Sequence, residues 1–130
     1  YVQFIQPHVK HILSSLETTG VPVIHFGTGT SMLLELQKQA GGTVIGVDAK
    51  TPLDWAKKLL GDDVAVQGNL DNLLLDAPRE LLAARVKDVL KRGGPRGHIF
   101  NLGHGILPET NPDAVKFVTD LVHEHSAARL

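Results

Sequence analysis

Ile5, Val9, Ile12, Leu13 and Leu16 recur at spacings of three and four, which places them on one face of a helix ending before Thr18-Thr19-Gly20. Pro7 predicts a kink in that helix or a late start to it. The period then changes. Val21-Pro22-Val23-Ile24-His25-Phe26 is a short apolar, β-branched run that ends in Gly27-Thr28-Gly29, the pattern of a buried strand entering a tight turn. Thr30 or Ser31 is a suitable N-cap for the helix that follows, which carries Met32, Leu33 and Leu36 on its apolar face and stops at Gly41-Gly42.

The unit repeats three more times. Thr43-Val44-Ile45-Gly46-Val47-Asp48 reads as a strand, and Thr51-Pro52-Leu53-Asp54 opens a helix with a cap, a proline and an early acidic residue before Gly61 closes it. Val64-Ala65-Val66-Gln67-Gly68-Asn69 is the third strand, followed by a short helical turn over 72–76. A long helix then starts near Pro78 and turns Leu81, Leu82, Val86, Val89 and Leu90 inward. Gly93-Gly94-Pro95 breaks that helix, and His98-Ile99-Phe100-Asn101-Leu102 forms the fourth strand. Asn111-Pro112 caps a last helix bearing Val115, Val118, Leu121 and Val122.

Strands that are apolar on both faces and alternate with helices belong in a parallel sheet, with helices expected on both sides. Right-handed crossovers bring all four strand C-termini to one edge. The pattern leaves two architectures, a doubly wound open sheet and part of a (β/α)8 barrel, the latter needing about 250 residues when whole. The chain opens at Tyr1 within a helical pattern rather than at a methionine, so an upstream segment is expected.

Composition removes several classes of function. With 42% hydrophobic and 21% charged residues the 130-residue chain is of globular type, and 13 basic against 14 acidic residues, unclustered, give no footprint for nucleic acid. The absence of cysteine excludes disulfides, thiolate zinc sites, iron–sulfur ligation and a cysteine nucleophile within this chain. No apolar run approaches the roughly 20 residues that a membrane span needs.

In either architecture ligands bind where the strands end. Gly27-Thr28-Gly29-Thr30-Ser31 could present backbone N–H groups to an anion, yet it lacks the lysine of a P-loop and the third glycine of a dinucleotide fingerprint, and it reads equally as a capped turn. Asp48 could act as a base or a substrate clamp, or bond its own turn. Asn69 could bind ligand or fix its loop, and Asp71 is assigned to local turn bonding. The sharpest feature is Asn101-Leu102-Gly103-His104-Gly105, where glycines flank a histidine at a turn, allowing close approach of a ligand to a group that donates, accepts or carries charge near neutral pH. His8, His11, His25, His98, His123 and His125 have neither the spacing nor the carboxylate partners of a metal site, so no metal is assigned.

These segments together resemble the C-terminal portion of uroporphyrinogen decarboxylases. The resemblance runs through Val21-Pro22-Val23-Ile24-His25-Phe26-Gly27, Gly46-Val47-Asp48 with Thr51-Pro52-Leu53, Val66-Gln67-Gly68-Asn69-Leu70-Asp71 and Phe100-Asn101-Leu102-Gly103-His104-Gly105, in order across almost the whole chain. It implies that residues 1–130 form the C-terminal half, about units five to eight, of a (β/α)8 TIM barrel whose N-terminal part lies upstream. It further implies a carboxy-lyase that converts uroporphyrinogen III to coproporphyrinogen III by removing carbon dioxide from four acetate side chains, with no cofactor or metal. The whole enzyme would be a cytoplasmic homodimer, or plastidic in a plant. The family's active-site histidine falls on His104, with Gly103 and Gly105 beside it at the tetrapyrrole and Asp48, Asn69 and Gly27 as weaker substrate-binding candidates.

Decarboxylation needs a sink for the electrons that the carboxylate leaves behind, and a protonated pyrrole ring serves as that sink. A substrate with eight carboxylates calls for Arg or Lys around it. Only His104 and Lys50 stand at this edge, so the chain alone is expected to be inactive. Two other readings are kept. A related cobalamin-linked methyltransferase barrel would need a His-x-Cys element, and His25-Phe26-Gly27 has glycine at its third position. A non-catalytic half-barrel would bind a partner through its open strand edges.

Overall fold

A computed structural model describes residues 1–127. Helix α1 (Gln6–Glu17) carries Pro7 in its first turn, where a missing N–H costs no helical bond, so the proline delays the helix instead of kinking it. Then come β1 (Ile24–Phe26), a 3₁₀ turn (Ser31–Leu33) running into α2 (Leu34–Ala40), β2 (Val44–Gly46) and α3 (Leu53–Leu60). They are followed by β3 (Ala65–Leu70), a second 3₁₀ segment (Asn72–Asp76), α4 (Arg79–Gly93), β4 (His98–Leu102) and α5 (Pro112–Ala127). β1 is shorter than its apolar run because Pro22 has no N–H to offer a ladder and the Val23 N–H is taken by the Thr43 hydroxyl at 3.0 Å. α3 and α4 end against Gly61 and Gly94, at φ of 76° and 70°, where a side chain would be strained.

The strands are parallel and lie in the order β1-β2-β3-β4. Every crossover therefore steps one place in the same direction, and right-handed crossovers of that kind stack all the helices on one face. A doubly wound sheet reverses direction at a switch point; this sheet does not. The burial follows. Ile45 and Val66 are fully buried with Leu34, Leu53, Ala56, Leu82 and Val86 in the core between sheet and helices. On the other face Ile24, Phe26 and Ile99 remain 48%, 47% and 42% exposed. Helices thus cover one side of the sheet, not two as the sequence pattern suggested. Apolar strand residues on the uncovered side are those that fill a barrel interior, so the four βα units form a sector of a TIM-barrel-like fold.

Several helix faces depart from the predicted stripes. α2 buries Leu34, Gln37 and Ala40, while Met32 is 89% exposed, because the 3₁₀ turn before it advances each residue farther around the axis than an α-helix does. α1 buries only Leu13 and leaves Ile5, Ile12 and Leu16 exposed; it lies at the end of the array, held to α2 in part by the Gln6 side-chain amide donating to the Leu36 carbonyl at 2.9 Å. In α4 the buried residues are Leu82, Val86, Val89 and Leu90, and Leu81 faces outward. α5 buries Val118 and Leu121, with Val115 and Val122 partly buried against the same core. Among the described residues no helix is long and apolar enough to cross a membrane.

Candidate active site

The loops that follow the four strands meet at one edge, and the Asp48–Thr51 turn lies at their centre. Asp48 is buried, and both of its carboxylate oxygens are engaged. Oδ2 accepts from the Gly29 N–H at 2.6 Å, and Oδ1 accepts from the Lys50 N–H at 3.1 Å and the Thr51 hydroxyl at 3.0 Å. Burial pushes the carboxyl pKa upward, but the Gly29, Thr51 and Lys50 hydrogen bonds and the Lys50 charge outweigh it and hold Asp48 below the ordinary aspartate value. The predicted helix caps are diverted into this turn. Thr51 bonds Asp48 and lies 2.7 Å from the Ser31 hydroxyl, while Thr30 donates back to the Gly27 carbonyl at 2.9 Å; none of the three caps its helix. The glycine loop after β1 therefore gives its Gly29 N–H to a carboxylate of the chain itself, not to an external anion.

Asn69, also buried, spans the Asp48–Thr51 turn from β3, its amide donating to the Asp48 carbonyl at 2.8 Å and to the Thr51 carbonyl at 2.5 Å. Asp71 accepts from the Leu73 N–H at 3.0 Å, the local turn bond its position suggested. Gly103 and Gly105 differ in kind. Neither has a φ in the left-handed region. Gly103 donates its N–H to the Leu70 carbonyl at 2.7 Å, and a Cβ there would lie 2.3 Å from the Ala49 nitrogen; the close approach is to the chain's own backbone. A Cβ on Gly105 would meet nothing within 4 Å.

His104 is exposed, and its nearest bonding partner is the Gly105 carbonyl, 3.5 Å from Nδ1. That is too long for a strong hydrogen bond, so the ring is not committed within the chain. With Phe26, Val47, Gln67, Asn101, Leu102 and Gly105 it lines a cavity of about 260 Å³ at the strand ends, on the side of the sheet away from the helices. Phe26, Gln67 and Ile99 occupy one row of the strand register, with Gly46 between the first two, which puts Phe26 and Gln67 on that open face. Gln67 is not among the candidates that the sequence offers, and Asn101 enters there only as the first residue of the His104 motif. The available signal was an amide inside an apolar strand, a residue type that seldom faces a helix layer without a partner.

The remaining histidines lie elsewhere. His98 is mostly buried against α4, with Nε2 2.7 Å from the Gly68 carbonyl. Burial pushes its pKa below 6.5, opposed by the Gly68 bond and aided by the Lys57 charge. His25 Nδ1 is 3.1 Å from the Gln37 carbonyl, His125 Nδ1 is 2.9 Å from the Leu121 carbonyl, and His8, His11 and His123 are exposed. Among the described residues no group of three or more His, Asp or Glu side chains is disposed to hold a metal ion.

Residues 1–125 match the family model described as uroporphyrinogen decarboxylase (URO-D). The chain belongs to the uroporphyrinogen decarboxylase family. It is 62% identical over 131 aligned residues to a uroporphyrinogen decarboxylase of Sorangium cellulosum, and 57% and 51% identical over 128 residues to those of Myxococcus xanthus and Thermus thermophilus. These alignments take in 98–100% of the chain but 37–38% of each relative, so the chain spans little more than a third of the proteins it matches. A methyltransferase from Methanosarcina mazei superimposes with a TM-score of 0.81 at 21% identity, over 95% of this chain and 36% of that one. At that identity the likeness concerns the fold alone.

Proposed function

We propose that residues 1–130 are a partial barrel domain, about units five to eight, of a uroporphyrinogen decarboxylase. The whole enzyme, a cytoplasmic homodimer, converts uroporphyrinogen III to coproporphyrinogen III without cofactor or metal. The observation that carries this reading is an uncommitted histidine, His104, at the edge of a cavity on the barrel-interior face of a chain from this family. Proton delivery to a pyrrole carbon makes the ring an electron sink. The bond between the acetate methylene and its carboxyl carbon then breaks toward the ring and carbon dioxide leaves; the exocyclic methylene so formed takes up a proton to become the methyl group, and the pyrrole carbon gives up the proton it had received. His104 contacts the bound tetrapyrrole as one donor among several, with the Gly103 and Gly105 backbone beside it; Gly27, Asn69 and Asp48 support the loops around it. The cations that eight carboxylates require come from the remainder of the barrel, since the cavity beside His104 is lined by Phe26, Val47, Gln67, Asn101, Leu102 and Gly105, with no Arg or Lys among them. This chain alone is therefore inactive.

The methyltransferase alternative has fold likeness behind it but lacks a cysteine at Gly27 or anywhere in the chain. A half-barrel that binds a partner is favoured only by the uncovered Ile24, Phe26 and Ile99, which the rest of a barrel would cover equally well. The test is His104→Asn in the full-length enzyme, with coproporphyrinogen formation followed alongside thermal melting. Turnover is expected to fall by about a hundredfold, the lower end of what a positioned acid–base group contributes, since asparagine can still donate a hydrogen bond. Because His104 is exposed, the melting temperature should hardly move. Undiminished turnover would refute the assignment.

A further inference from the structure

We infer that Asp48 is a positioning residue for His104: its buried carboxylate joins the loops after β1 and β2 and, through the Ala49 backbone, sets the loop after β4. The inference rests on the role proposed for His104. An aspartate that only closed its own turn would need one bond to a neighbouring N–H. Here one oxygen takes Lys50 and Thr51 within the turn, and the other reaches across to Gly29 at 2.6 Å. Thr51 extends the connection to Ser31, Asn69 binds the turn to β3 through two backbone carbonyls, and Gly103 packs flush on Ala49 with no room for a Cβ. The loops after β1 and β4 and the end of β3 thus converge on residues 48–51. A buried carboxylate is tolerated because three donors of the chain bond it, one on Oδ2 and two on Oδ1.

The His104 ring makes no short bond of its own. Its place is therefore set by its backbone, which rests on the Asp48–Ala49 peptide at Gly103 and is tied to the β3 side by the Gly103 N–H donating to the Leu70 carbonyl at 2.7 Å and the Asn72 amide donating to the Gly105 carbonyl at 3.0 Å. Asparagine at position 48 keeps the size of the side chain but opposes an NH2 group to either Gly29 or the Lys50–Thr51 donors, which opens one side of the junction.

The test uses the full-length enzyme in four forms: unaltered, Asp48→Asn, His104→Asn and the double variant, with kcat and KM for coproporphyrinogen formation and melting temperature measured on each. Asp48→Asn is expected to lower kcat roughly tenfold, the order of loss that displacement of a catalytic group by part of an ångström produces. In the His104→Asn background the same change should alter kcat by less than about twofold, because the group it positions is already gone. Equal losses in both backgrounds, or no loss in either, overturn the inference. A slow His104→Asn enzyme with additive Asp48→Asn sinks this inference alone, whereas a fully active His104→Asn enzyme sinks the functional reading together with it. Thr51→Val, which removes one donor to Asp48 without changing shape, goes through the same cycle and should show the same coupling at smaller size; it decides the matter if Asp48→Asn does not fold.

Discussion

Replacing Gly103 by alanine probes how closely the His104 loop depends on the turn beneath it. The added Cβ would lie 2.3 Å from the Ala49 nitrogen and 2.9 Å from both the Ala49 Cα and the Asp48 carbonyl carbon, all backbone atoms that no rotamer change can move aside. To regain ordinary contact at 3.4 Å the loop must retreat by about 1 Å. That movement strains the Gly103 N–H bond to the Leu70 carbonyl, now 2.7 Å, and carries His104 with it. Overpacking of this kind costs about 1–3 kcal/mol, and misplacing a catalytic group by that distance costs on the order of a hundredfold in rate. The assay is thermal melting and coproporphyrinogen formation by the full-length enzyme, with Gly105→Ala as the comparison. A Cβ at Gly105 meets nothing, so that variant should lie within about 0.5 kcal/mol of the original. A Gly103→Ala enzyme with unchanged melting and turnover would refute the reasoning, and lowered stability with full turnover would show that the loop's position does not limit the reaction.

Two further outcomes follow from the buried polar groups. Asn69→Ala leaves the Asp48 and Thr51 carbonyls without the amide that bonds them and should cost about 1–3 kcal/mol in denaturant unfolding; a loss below 0.5 kcal/mol would mean that water replaces the amide without penalty. His98 is held below 6.5 in the folded chain, so below that pH the unfolded chain binds the proton more readily. Its contribution is full above 6.5 and is lost as pH falls through the folded value. Between pH about 7.5 and about 5 the original should lose more stability than His98→Gln, and equal losses would contradict the assignment.

The helix-and-strand alternation was legible because each element's own residues decide it. β4 spans the residues its apolar run marks, the short helical turn over 72–76 forms, and glycines stop α3 and α4 where expected. Met32 lies off the apolar face expected of it because a 3₁₀ turn breaks the period on which such stripes are read. The caps at Thr30, Ser31 and Thr51 failed for another reason: a hydroxyl near a helix start bonds whichever partner is closest, and here Thr30 bonds Gly27 and Thr51 bonds Asp48 within their own turns, while Ser31 and Thr51 meet across two loops.

The sequence by itself determined that four βα units form a parallel sheet, that their loops share an edge, and that His104 stands in the last of them; its motifs also carried the family resemblance. The hydrophobic pattern left open sheet and barrel sector both possible and the family resemblance implied the barrel; the tertiary structure shows it, since strand order and the side on which the helices lie are set by contacts between units. It also decided what each polar residue at that edge does. Asp48 and Asn69 have the chemistry to bind a ligand, and in the fold they bind Gly29, Thr51 and the Asp48–Thr51 turn, because donors and acceptors 18 to 21 residues apart are brought within 3 Å. His104 keeps an uncommitted ring because no such partner is folded onto it.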